Sequence, residues 1–192
     1  MDRPAEVRAK VDSVRDWAHE RHIDGVLIGS QAGFAWITGG GHSHISIGES
    51  GGVGSILVTG DRAYLLTSNI ELRRLLDEEV PGLPFEGVEW PWHERVQGDR
   101  IVAELCDPAR SVSDLGQFGL AQTDPSLAAL RFTLLPVEVE RFRSLGRDAA
   151  EAVEVACVSA RPGDSELDVA ARVADEAMRA KHPGPGEPGG GG

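Results

Sequence analysis

Basic residues, cysteine and long apolar runs are all scarce in this chain of 192 residues, and each shortage closes off a class of function. Nineteen Lys and Arg stand against 31 Asp and Glu, for a formal net charge of −12. A phosphate backbone or an anionic bilayer would repel such a surface, so neither nucleic acid nor membrane is expected as a partner. No run approaches the ~18 apolar residues of a membrane span. The opening Met1-Asp2-Arg3-Pro4-Ala5-Glu6 is charged where a secretion signal would be apolar, which points to a cytoplasmic location. Cys106 and Cys157 stand outside any Cys-x-x-Cys pair, in segments of helical spacing, and read as buried, reduced thiols. His-Glu-x-x-His, paired-cysteine and Gly-Lys-Ser/Thr patterns are all absent, so function has to be argued from organisation as much as from motifs.

What is present is an interleaved α/β pattern. Val7, Val11, Val14, Trp17 and Ala18 recur at helical spacing behind Pro4 and predict a helix over 4–21. Val26-Leu27-Ile28 is a short buried strand by length and flanking glycines, and 31–38 a short helix. A glycine-dominated stretch from Gly39 to Gly54 carries His42, His44 and Ser50 and is expected to be flexible. Two apolar runs, 55–59 and 62–67, flank Gly60-Asp61 and predict a hairpin with a Gly-first turn. Ser68-x-x-Glu71 has the form of a capping box opening a helix through Glu79. Strands are expected at 85–90 and 111–115 and a helix at 99–105. Asp124-Pro125 should open a further short helix, and 132–135 a closing extended segment. The class is therefore α/β, a mixed sheet flanked by helices over 1–135.

Beyond Pro136, Phe142, Leu145, Ala149, Val153, Ala156 and Ala160 keep helical period. Ser165 with Asp168 predicts a capped second helix, whose apolar face is Leu167, Ala170, Ala171, Ala174, Ala177 and Met178. Two helices lined mainly by alanine cannot make a core alone, since each buried methyl supplies less than ~1 kcal/mol. The 136–181 segment thus reads as the opening of something larger. The Gly/Pro-rich stretch 182–192 is expected to be disordered.

Few residues suggest chemistry. Gly48-Glu49-Ser50-Gly51-Gly52 matches the Gly-x-Ser-x-Gly nucleophile pattern, but a strand follows where a helix would have to back the serine. His42 and His44, two apart on a loop, point the same way if the loop is extended, yet no third metal ligand stands at a recognisable spacing. They are the candidate contacts to a substrate or a neighbouring subunit. Gly52-Val53-Gly54 begins a phosphate-loop pattern that Leu57 breaks. The acidic residues Glu166, Asp168, Asp175 and Glu176 read as a solvated helix face and cap, and Trp90-Pro91-Trp92-His93 as packing at a strand end.

Together these segments resemble the creatinase/prolidase/aminopeptidase P family of pita-bread enzymes. The resemblance is carried by Ile23-Asp24-Gly25-Val26-Leu27-Ile28 with Phe34-Ala35-Trp36-Ile37-Thr38-Gly39, by the hairpin after them, by Pro136-Val137-Glu138-Val139-Glu140-Arg141-Phe142 through Ala149, and by Arg161-Pro162-Gly163-Asp164-Ser165-Glu166-Leu167. It implies a creatinase-type N-terminal domain followed by the first two helices of a pita-bread catalytic domain, C-terminally truncated. In such enzymes two divalent metal ions (Mn, Co or Zn), held by two Asp, one His and two Glu, activate water against an Xaa-Pro bond. None of those ligands has a counterpart here, so no catalytic or metal-binding residue is assigned and the chain is expected to be inactive as given. A full-length relative is expected to bind a peptide substrate and to form a homodimer. The alternative is a noncatalytic dimerisation or regulatory module built on the same N-terminal domain.

Overall fold

The computed structural model describes residues 1–180, so the expected tail lies outside the described residues. The chain divides into two compact units, Met1–Thr133 and one beginning at Leu134.

In the first unit, helix α1 (Arg3–Glu20) starts where Asp2 accepts the Ala5 N–H at 2.9 Å and Pro4 occupies the first turn. Strand β1 (Gly25–Ser30) runs straight into α2 (Gln31–Ile37), because the Ser30 hydroxyl accepts the Gly33 N–H at 3.0 Å. Then come β2 (Gly51–Thr59), β3 (Ala63–Ser68), α3 (Leu72–Arg74) with a π-helical turn at Leu75–Glu79, β4 (Glu86–Trp90) and α4 (Arg95–Leu105). Strands β5 (Ser111–Ser113) and β6 (Ala121–Gln122) and helix α5 (Ser126–Ala129) complete the unit.

The six strands form one sheet in the order β4-β3-β2-β1-β5-β6. Strand β2 is antiparallel to both neighbours and the remaining pairs are parallel, so the expected mixed α/β sheet is present. Alternation along the strands supplies two cores. Val26, Ile28, Ile56, Val58 and Leu65 face Val7 and Val14 of α1 and Phe34 and Ile37 of α2. Leu27, Leu57, Tyr64 and Leu66 face the other way, toward Val102 of α4 and Leu120. Each such side chain contributes roughly 1.5–3 kcal/mol on burial, so the unit has apolar cover on both faces of its sheet.

Several expectations are corrected. The hairpin forms, but Gly60 has no left-handed φ. The turn is closed by the Thr59 hydroxyl, which accepts the Arg62 N–H at 3.3 Å, and by the Thr59 N–H donating to Arg62 O at 2.9 Å. No capping box forms at Ser68, because that residue is still paired with Trp90 as the last of β3. The Glu71 carboxylate bonds Arg74 at 2.9 Å instead, and the helix begins at Leu72. The glycine-dominated stretch enters β2 at Gly51, helix α4 begins four residues before Asp99, β5 stops at Ser113, and β6 was not anticipated. Residues 131–133 turn instead of extending, with the Phe132 N–H donating to Ala129 O.

The second unit is helix α6 (Pro136–Ser159) followed by α7 (Glu166–Arg179). Glu138 reaches back to the Leu135 N–H at 2.9 Å, and Pro136 fills the first turn. The expected box at Ser165 and Asp168 is formed in both directions, at 3.2 and 2.8 Å. Asp164 orders the linker by accepting the Arg161 N–H at 2.7 Å and the Arg172 guanidinium at 2.6 Å. Of the expected stripe on α6 only Ala156 is buried, together with Ala152, whereas Phe142, Leu145, Ala149, Val153 and Ala160 are exposed. Leu167 and Met178 on α7 are exposed as well. The expected alanines Ala170, Ala171, Ala174 and Ala177 are exposed too, while Val169 and Val173 are half-buried, so the covered face of α7 is not the expected one.

Candidate functional site

Because β2 alone runs against the other strands, the carboxyl ends of β1, β3, β4 and β5 and the amino end of β2 share one edge of the sheet. The segment between α2 and β2, residues 38–50, returns to this edge, and it carries both sequence-derived contact candidates.

That segment is held at its ends and outward-facing in its middle. The Thr38 hydroxyl donates to Phe34 O at 2.6 Å and accepts the Gly41 N–H at 2.9 Å. The His42 N–H donates to Glu79 Oε2 at 2.7 Å, while the other oxygen of that carboxylate meets Arg74 at 3.2 Å. Ser43, fully buried, accepts the Val53 N–H at 2.7 Å through its carbonyl. Its hydroxyl sits 2.0 Å from where a Cβ on residue 52 would lie, which admits only glycine there. Gln31 Nε2 donates to Ser46 O at 2.9 Å and to Gly51 O at 3.1 Å, closing the far end.

With Ser43 turned inward, His42 and His44 lie on the opposite side, as alternation requires. Their rings meet edge to face at 5.3 Å, His42 exposed and His44 half-buried. Ile45 and Ile47, 73% and 84% exposed, follow directly, and farther along the same edge Ile70 and Trp92 are exposed too. Two imidazoles beside bare apolar side chains suit contact with a peptide or a protein surface. Among the described residues no group of three or more His, Cys, Asp or Glu could hold a metal ion. The tethers Glu79 and Gln31 could not be picked out in the sequence, since neither belongs to a motif and each acts across a long separation.

The remaining candidates take their places as follows. Ser50 is exposed, and β2 begins at the next residue, so no helix backs it and the nucleophile-elbow geometry is missing. Gly52-Val53-Gly54 is part of that same strand. Trp90 packs edge to face on Phe118 at 5.5 Å, while Trp92 is surface. The cysteines depart from the expected burial: Cys106 is half-buried, with desolvation pushing its thiol up, and Cys157 is exposed.

A family model described as the creatinase/prolidase N-terminal domain matches residues 10–122, from within α1 through β6 and including the tethered segment. This chain belongs to that family. No curated protein sequence is a significant match. Among solved structures, the fold resembles an Xaa-Pro dipeptidase from Bacillus anthracis at a TM-score of 0.69 and 17% identity, covering 90% of this chain and 49% of that one. It resembles the prolidase from Pyrococcus horikoshii at 0.65 and 20%, covering 89% and 48%. An X-Pro aminopeptidase from Thermotoga maritima gives 0.64 and 15%, covering 88% and 49%. At such identities the likeness is one of fold. The chain spans about half the length of these structures. Among the described residues no helix is long and apolar enough to cross a membrane.

Proposed function

We propose that this chain is the N-terminal portion of an Xaa-Pro aminopeptidase- or dipeptidase-like metallohydrolase, without its metal-ligand region and inactive by itself. One observation carries the reading: the fold likeness takes in nine tenths of this chain and only about half of an Xaa-Pro dipeptidase, so the two outward-facing helices coincide with part of a larger fold. In the complete enzyme two divalent cations (Mn, Co or Zn) would supply Lewis acidity and an activated water. Among the described residues no group of His, Cys, Asp or Glu fits such a pair of ions. What this chain contributes is a stable first unit and a tethered segment whose His42 and His44 contact the peptide or the second subunit of a homodimer.

The test is an assay of the purified chain with Mn, Co or Zn on an Xaa-Pro dipeptide, together with elemental analysis. Neither turnover nor stoichiometric metal is expected, and finding both would overturn the proposal. The second reading, a noncatalytic dimerisation module, draws support from the two-faced core and the exposed Ile45 and Ile47. A tight dimer of this chain alone, in sedimentation equilibrium, would favour it.

A further inference from the structure

The first unit holds a cleft of about 310 Å³ beside the tethered segment, at the lower end of the size range of small-molecule sites. It opens outside the carboxyl ends of β1 and β5, where ligands commonly sit on open α/β sheets. Helix α2 forms one wall and residues 123–131 the other. Trp36, Leu115 and Leu127 give it an apolar lining.

Its charged groups are placed with care. Asp114, just past β5, accepts the Gly29 N–H at 2.8 Å on one carboxylate oxygen and the Ser30 N–H at 3.1 Å on the other. Each oxygen keeps a further lone pair, and the carboxylate is fixed in direction by the end of β1. Gly33 permits this approach, since a Cβ there would come 2.7 Å from Ser30 Oγ and 3.1 Å from Asp114 Oδ2. On the opposite wall Asp124 is held by the Ser126 N–H at 2.7 Å. The guanidinium of Arg131, half-buried at the same cleft, makes no hydrogen bond or ion pair with any described residue. In a chain with 31 acidic side chains, a cation without a partner among the described residues, lining a cleft that also carries two carboxylates, is an arrangement that a ligand would complete.

We propose that this cleft binds a small zwitterion with an apolar body, a free apolar amino acid being the simplest member of the class. Its carboxylate pairs with Arg131, its ammonium with Asp114, and its side chain lies against Trp36 and Leu127. The site lies wholly within the first unit and is independent of the hydrolase reading.

The experiment is chemical-shift titration of the whole chain with L-leucine, N-acetyl-L-leucine, which lacks the ammonium, and L-leucinamide, which lacks the carboxylate. Leucine is expected to bind in the millimolar range and each analogue about tenfold more weakly, the worth of one charge-assisted contact. Arg131→Gln should weaken leucine about tenfold and leave leucinamide unchanged, because only leucine offers that residue a carboxylate. Absence of leucine-induced shifts in the folded protein, or equal weakening of leucine and leucinamide by Arg131→Gln, would overturn the proposal.

Discussion

Glu6 and Lys10 form a pair buried in the first unit, both under 5% exposed, with Lys10 Nζ 2.7 Å from Glu6 Oε1 and 2.8 Å from Trp36 O. One ammonium thereby neutralises a carboxylate and caps the end of α2, helping to set where the tethered segment begins. Removing one member takes a charge partner from the other in a dry environment, and breaking a buried pair costs roughly 3–5 kcal/mol. Lys10→Met should therefore lower the unfolding free energy in urea by about 3 kcal/mol or more, and a loss below about 1 kcal/mol would show that the pair is solvated. Residues of this kind are hard to find in a sequence. Glu6 and Lys10 read as two more polar positions on an amphipathic helix, and nothing nearby announces that the C-terminus of α2 lies over them. His42 and His44 were visible as candidates because they are two apart among glycines. That Glu79 would hold the His42 N–H was not visible.

At the scale of elements, local chemistry was decisive where nothing competed with it. Ser165 and Asp168 cap α7 because the linker before them is exposed and free to adopt cap geometry. Ser165→Ala should speed hydrogen exchange in the first turn of α7 about fivefold, the usual worth of a serine cap. An unchanged rate would show that the helix start is set by packing instead. Hydrogen bonds from Ser165, its side chain first, hold the Asp168 carboxyl below the ordinary aspartate range, and Arg172 followed by the Arg161 N–H does the same for Asp164. A depressed folded value stabilises above the ordinary aspartate pKa and is lost as pH falls through the lowered one. Acid should accordingly loosen this helix start, as added exchange in the same amides. Ser68-x-x-Glu71 has a similar pattern and does not act as a cap, because Ser68 is paired with Trp90 of β4. The two boxes differ in what lies beside them in space.

At the scale of the molecule, the units differ in how completely they cover their own apolar surface. The first encloses Leu27, Leu57 and Phe34; the second leaves Phe142, Val158 and Met178 bare. Placed in a full-length relative, the positions of His42 and His44 should matter through contact. Alanine at either should raise KM or weaken the dimer severalfold while bound metal stays constant, and equal loss of metal would refute the contact role.

Sequence by itself determined the α/β class, the hairpin and both long helices of the second unit. Each follows from periodicity or from a cap written within a few residues. Only the tertiary structure decided the strand order, the reversal of β2 that gathers the strand ends on one edge, and the convergence of Asp114, Asp124 and Arg131 on a common cleft. The physical reason is range. Caps, turns and amphipathic spacing are contacts between near neighbours, whereas an edge or a cleft is assembled from segments dozens of residues apart, whose meeting depends on how two whole faces of a sheet are buried.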